Sequence, residues 1–137
     1  MGRILAIDYG KKRTGLAVTD PLRIIATALE TVPTLEVLAF INAYVQKESV
    51  DEFVIGMPKT LRNEDSEIAP LVRQFILKLK AHFPDKPIHE VDERFTSSMA
   101  HRAMIDGGMK KKDRQVKGNV DKISATIILQ SFLESGR

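Results

Sequence analysis

The sequence predicts an α/β protein built on one mixed five-stranded sheet, three antiparallel strands followed by two parallel ones, with helices on both faces. Three observations predict it. Three strand-like runs open the chain and are joined by connections too short for a crossover, so they pair antiparallel. Two later apolar runs are each reached through an amphipathic helical segment, which makes them parallel to the first strand. The helical segments carry apolar stripes that must be buried against a sheet. At 137 residues the chain is one domain's worth, and residues 1–137 are expected to form a single domain.

The first strand is Ile4-Leu5-Ala6-Ile7, ending on Asp8. A turn of cations follows, Tyr9-Gly10-Lys11-Lys12-Arg13, and Leu16-Ala17-Val18 leads back as the second strand of a hairpin. Asp20-Pro21 is a break, and Arg23 to Val32, rich in β-branched residues, reads as the third strand. Pro33 closes it. Thr34 is a candidate N-cap for a helix to about Glu48, with Leu35, Leu38, Ile41 and Val45 on its inward stripe. Glu52 to Met57 reads as a buried parallel strand stopped by Pro58.

Lys59 to Asp65 is a polar loop. Ser66 opens a second helix whose stripe is Ile68, Leu71, Val72, Phe75, Ile76 and Leu79, with Pro70 in the first turn, where its missing N–H costs least. Ile88 to Val91 is the last strand. Thr96 or Ser97 caps a third helix that stops at Gly107-Gly108. Between Gly107 and Gly118 five cations face one Asp, a basic loop without apolar periodicity. Asn119 or Asp121 caps the final helix, with Asp121, Ala125, Ile128 and Phe132 facing inward.

Composition narrows the function classes. The apolar and charged fractions, 43% and 28%, are those of a globular protein. No run is long enough to cross a bilayer and no signal-peptide pattern opens the chain, so the cytoplasm is the expected compartment and no membrane partner is expected. Without cysteine there is neither a disulfide framework nor a thiolate metal site. A formal charge of +3 and a pI near 9.2 tilt the expectation towards a polyanionic partner.

Three carboxylates stand at element ends: Asp8 after strand one, Glu93 after strand five, and Asp121 at the start of the last helix. An ionised acid where a buried strand leaves the core is expensive unless a cation or several donors compensate it. Strands one and five run the same way, so Asp8 and Glu93 emerge at one edge, where such sheets bind ligands. Oxygen-only donors suit Mg²⁺ or Mn²⁺, ions that promote phosphodiester cleavage. Each acid also has a plainer reading: Asp8-Tyr9-Gly10 is a turn, Glu93 can pair with Arg94, and Asp121 can be a helix cap. Asp92 competes with Glu93 for the ligand role. His82, His89 and His101 pair at no metal-ligand spacing and read as surface or satisfied core residues.

Four stretches in order carry a family resemblance: Asp8 to Gly15 (DYGKKRTG), Val54 to Pro58 (VIGMP), Asp92 to Ser97 (DERFTS) and Val120 to Ala125 (VDKISA). Together they resemble the YqgF (RuvX) family of pre-16S rRNA nucleases and Holliday junction resolvase-like proteins. The resemblance implies an RNase H-like fold and a Mg²⁺- or Mn²⁺-dependent nuclease that hydrolyses phosphodiesters, with Asp8, Glu93 and Asp121 as its catalytic and metal-holding acids. Related junction resolvases carry an acid after strand four; here that place is Gly56-Met57-Pro58. Lys12, Arg13 and Arg94 are candidates to hold phosphate oxygens. Lys110, Lys111, Lys112, Arg114 and Lys117 are candidates to gather a nucleic-acid backbone without reading its sequence.

The expected function is 5′-end maturation of pre-16S rRNA, in contact with the ribosome or transcription machinery. Two alternatives are a Holliday junction resolvase acting on branched DNA, which requires a homodimer rather than a monomer, and a non-catalytic RNA- or transcription-associated binding module. A nucleotide-binding protein of the actin and sugar-kinase type also opens with an acid-turn-glycine hairpin. It needs a second domain, for which 137 residues leave no room.

Overall fold

Ile4, Leu5, Ala6 and Ile7 are apolar on both sides of the chain, so the strand they form belongs between two covered faces. The computed structural model describes residues 2–57, 68–92 and 117–134. In order they form β1 (Arg3–Asp8), β2 (Arg13–Thr19), β3 (Ala26–Pro33), a 3₁₀ turn (Thr34–Glu36), α1 (Val37–Lys47), β4 (Val50–Met57), α2 (Ala69–His82), β5 (Ile88–Asp92) and α3 (Lys117–Glu134). One five-stranded sheet results, ordered β3-β2-β1-β4-β5, with β1 and its apolar centre in the middle. The first three strands pair antiparallel; β4 and β5 are parallel to β1, as the connection lengths require.

Side-chain alternation along the strands divides the core into two layers. Leu5, Ile7, Leu16, Phe53 and Ile55 face α1 and α2, packing against Val37, Ile41, Val72, Phe75 and Leu79. Ile4, Ala6, Ala17 and Val54 face α3, packing against Ala125, Ile128, Leu129 and Phe132. Ala6 and Ala17 are direct cross-strand partners, so the middle of that face is shallow and α3 settles closely onto it. Phe53, fully buried in β4 with its ring 5.3 Å from that of Phe83, contributes on the order of 2–3 kcal/mol by burial alone.

Several local expectations are corrected. Strand three begins at Ala26, not Arg23, because residues 20–25 form a tight turn nucleated by Asp20, whose carboxylate accepts the amides of Leu22, Ile24 and Ile25. Thr34 does not cap a helix: it opens the 3₁₀ turn, and α1 starts at Val37 without a side-chain cap. That turn rotates Leu35 out of the expected stripe, leaving it fully exposed, while Ile41 is buried as expected. Leu71 is also off the buried stripe, at 39% exposed, whereas Val72, Phe75, Ile76 and Leu79 are buried. Pro70 lies in the first turn of α2. The last helix begins earlier than Asn119, so Lys117 opens α3 instead of belonging to a loop. Ser66, the helix expected from Thr96 or Ser97 to Gly107-Gly108, and the basic stretch to Val116 lie outside the described residues.

Arg23 holds the turn against the sheet's amino edge. It alone among the described non-glycine residues has positive φ, 60°. Its guanidinium pairs with Asp51 at 2.6 Å and Glu52 at 2.8 Å, and its Nε donates to the Gly2 carbonyl at 2.9 Å. Glu52 also meets His89 Nε2 at 2.8 Å, and the His89 ring lies 4.8 Å from that of Phe132. The carboxyl-terminal end of α3 is thereby fixed at the amino edge. The Gly2 amide and the Arg23 guanidinium hold the Asp51 carboxyl below the usual range. Asp20 is lowered by the Ile25 and Ile24 amides. Both are depressed in the folded state, so their contribution is present above the unfolded value of about 3.9 and is lost as pH falls through the folded ones. Arg23→Ala is expected to cost about 1–2 kcal/mol. Thermal melts between pH 7 and 3 should show wild-type Tm falling below pH 4 and a shallower acid limb in Asp51→Asn; parallel limbs would remove Asp51 from the account.

Candidate active site at the carboxyl edge of the sheet

Asp8 is the last residue of β1 and is half-buried. Alternation places it on the α3 side, in line with Ile4 and Ala6. Its cross-strand partner on β2 is Gly15. On β4, one step beyond the Ile7–Ile55 pair, stands Gly56. The acid is therefore flanked on both neighbouring strands by glycines, a floor to which those strands contribute no side chain. That floor was not recognised in the sequence, because it follows from register: Gly15 and Gly56 are ordinary glycines until the strands are aligned.

The turn after Asp8 is held tightly. Tyr9 packs its ring 5.0 Å from that of Phe75 of α2, and burial raises its phenol pKa. The hydroxyl of Thr34 donates to the Gly10 carbonyl at 2.6 Å and lies 2.9 Å from that of the buried Thr14. The Thr34 amide donates to the Lys12 carbonyl at 2.9 Å. Lys11 and Lys12 are exposed on this turn; Arg13 begins β2 and is half-buried. A Cβ on Gly10 would collide with the Arg13 carbonyl. Gly10→Ala must therefore open the turn, and we expect a loss of roughly 1–3 kcal/mol with a shifted Asp8. A Tm unchanged from wild type would show that the turn tolerates the methyl group.

The other proposed acids stand differently. β5 ends at Asp92, paired with Met57 in register, so β1, β4 and β5 all end at the same edge. Glu93 lies outside the described residues, as do Arg94, Lys110, Lys111, Lys112 and Arg114. Asp121 lies near the start of α3, and its side chain, like those of Asp92 and Lys117, is not described. The direction of α3 is settled by its far end, where Phe132 meets His89 and where Leu133 and Glu134 line an open cavity of about 340 Å³ with Ile24 and Ile25. Eleven residues of helix span ~16 Å, so the backbone at Asp121 lies towards the Asp8 edge. Among the described residues no three His, Cys, Asp or Glu side chains converge on one point.

A model of the RuvX family, described as Holliday junction resolvase, matches residues 2–135. The chain belongs to the RuvX family. This RuvX chain is 58% identical over 137 residues to a Bacteroides thetaiotaomicron protein named "Putative pre-16S rRNA nuclease", covering 100% of the chain and 99% of that relative. It is 60% identical over 135 residues to a Phocaeicola vulgatus protein of the same name, covering 98% and 97%. Among solved structures it resembles Thermus thermophilus RuvC in complex with a Holliday junction substrate, with a TM-score of 0.63 at 15% identity over 99% of this chain and 97% of that one. A second structure of Thermus thermophilus RuvC gives 0.59 at 14% identity, over 98% and 96%. At those identities the likeness is one of fold. The RuvX chain has the RNase H-like fold, with helices on both faces of its mixed sheet.

Proposed function

We propose that the chain is a divalent-metal-dependent nuclease that hydrolyses phosphodiester bonds in the 5′ maturation of pre-16S rRNA. The observation that carries the reading is Asp8: an acid at the carboxyl end of the central strand, on a side-chain-free floor, beside a turn of three consecutive cations. End-to-end similarity to the named relatives supports the RNA substrate. The donor chemistry fits Mg²⁺ or Mn²⁺, since Asp8, Glu93 and Asp121 offer only oxygens and the strands beside Asp8 present glycines there.

Asp8, Glu93 and Asp121 would hold the ion, which when bound offsets negative charge developing on the phosphate and activates water for attack. Lys12, Arg13 and Arg94 hold phosphate oxygens in place. Lys110, Lys111, Lys112, Arg114 and Lys117 draw in the backbone through charge, a contribution that weakens with salt. The helix α3 shields one side of the site from bulk water. The test is incubation of the purified protein with a pre-16S rRNA leader in Mg²⁺, in Mn²⁺ and in chelator. Specific cleavage in either metal and none in chelator is expected; cleavage indifferent to chelator would reject the metal site. The RuvC-like fold favours a second reading, junction resolution, which needs two sites in a dimer. A monomer on a four-way junction would exclude it.

A further inference from the structure

Leu35 is fully exposed, and it stands where a polar residue would satisfy every structural demand. Isolated exposed leucines are ordinary on protein surfaces. Its mounting sets this one apart. Thr34, the residue before it, is clamped by three hydrogen bonds to the turn that follows Asp8: amide to the Lys12 carbonyl, hydroxyl to the Gly10 carbonyl, and hydroxyl to Thr14 Oγ1. Leu35 is thus carried on a rigid 3₁₀ turn at the carboxyl edge, next to Lys11, Lys12 and Arg13. Two strands separate it laterally from Asp8, and the chain rises beyond the β2–β3 pairing before it turns, a separation of roughly 10–15 Å. Successive nucleotides cover that distance in two or three steps.

We propose that Leu35 is a positioning residue that packs against a nucleobase two or three nucleotides from the bond to be cut. The inference rests on the nuclease reading. The cationic turn would hold the phosphates on one side of the strand while the leucine meets an unstacked base on the other. Apolar side chains serve in this way where proteins separate adjacent bases, and a base face is the large flat apolar surface that a bare leucine complements. Charge complementarity argues for a polyanion over an apolar protein partner: the backbone of Thr34, which precedes the leucine, bonds to Lys12 in a turn whose Lys11 and Lys12 are exposed.

The test uses a single-stranded RNA carrying 2-aminopurine at one of the four positions flanking the cut, bound to full-length protein and cut by it. Leu35→Ala removes no buried area, so Tm is expected to hold. Leu22→Ala, at the opposite edge and 64% exposed, serves as the control for loss of an exposed leucine. We expect 2-aminopurine fluorescence to change at one position on binding wild type and Leu22→Ala, and to lose that change in Leu35→Ala. KM should rise roughly five- to tenfold in Leu35→Ala with kcat nearly unchanged, and Leu35→Phe should restore it. Equal fluorescence and KM within twofold of wild type in Leu35→Ala would overturn the proposal. If wild type neither binds nor cuts RNA in Mg²⁺ or Mn²⁺, the nuclease reading falls and this inference with it; a defect confined to the leucine comparison concerns Leu35 alone.

Discussion

Asp8→Asn is expected to abolish cleavage, by on the order of 10³-fold or more, while the protein keeps its fold and melts close to wild type. Asn preserves the shape of the side chain and removes the charge that a divalent ion requires. Asp8 is half-buried at the end of a strand whose other core residues, Ile4 to Ile7, are fully buried, so the backbone there is held by packing and not by the acid. The measurements are rates on a pre-16S rRNA leader and a circular-dichroism melt. Undiminished metal-dependent cleavage would move the chemistry elsewhere in the chain, and loss of folding would make Asp8 a structural residue.

Ala6→Leu carries the second large effect, and it acts from a distance. Ala6 and Ala17 form the shallow centre of the sheet face on which Ala125 of α3 sits. A leucine in place of Ala6 has no space to occupy, so α3 must lift or slide. Overpacking of this kind costs about 1–3 kcal/mol. The helix carries Asp121, and a displacement near 1 Å at a reacting centre lowers rates by about 10²-fold. Activity should therefore fall much further than stability. Ala39→Leu, on the exposed face of α1, is the matched control and should change neither. Activity within threefold of wild type in Ala6→Leu would mean that α3 does not position a catalytic group.

The strand directions and the helices on both faces were legible in the sequence because they depend on periodicity and connection length, which are local quantities. Ile41, Val72, Phe75, Leu79, Ala125 and Ile128 fall inside as their spacing requires. Leu35 and Leu71 do not, and for Leu35 the reason is one that spacing cannot carry. A 3₁₀ turn advances by about three residues and changes the phase of the stripe that follows it. The anchoring of Arg23 was invisible for another reason: its partners Asp51 and Glu52 are 28 and 29 residues away and meet it only when β4 joins the sheet. At the site, Asp8 was legible as a charge ending an apolar run. Its glycine floor was not, since it exists only in the alignment of three strands.

The order in which the chain is made has a consequence for when the fold closes. The hairpins of β1, β2 and β3 involve only near neighbours, and such pairings form early. The helix that covers one whole face of that sheet is the last element of the described chain. Until it docks, Ile4, Ala6, Ala17 and Val54 form a bare oily surface. A nascent chain that lacks this helix is thus sticky, and the docking that hides the oil also carries the backbone at Asp121 towards the Asp8 edge.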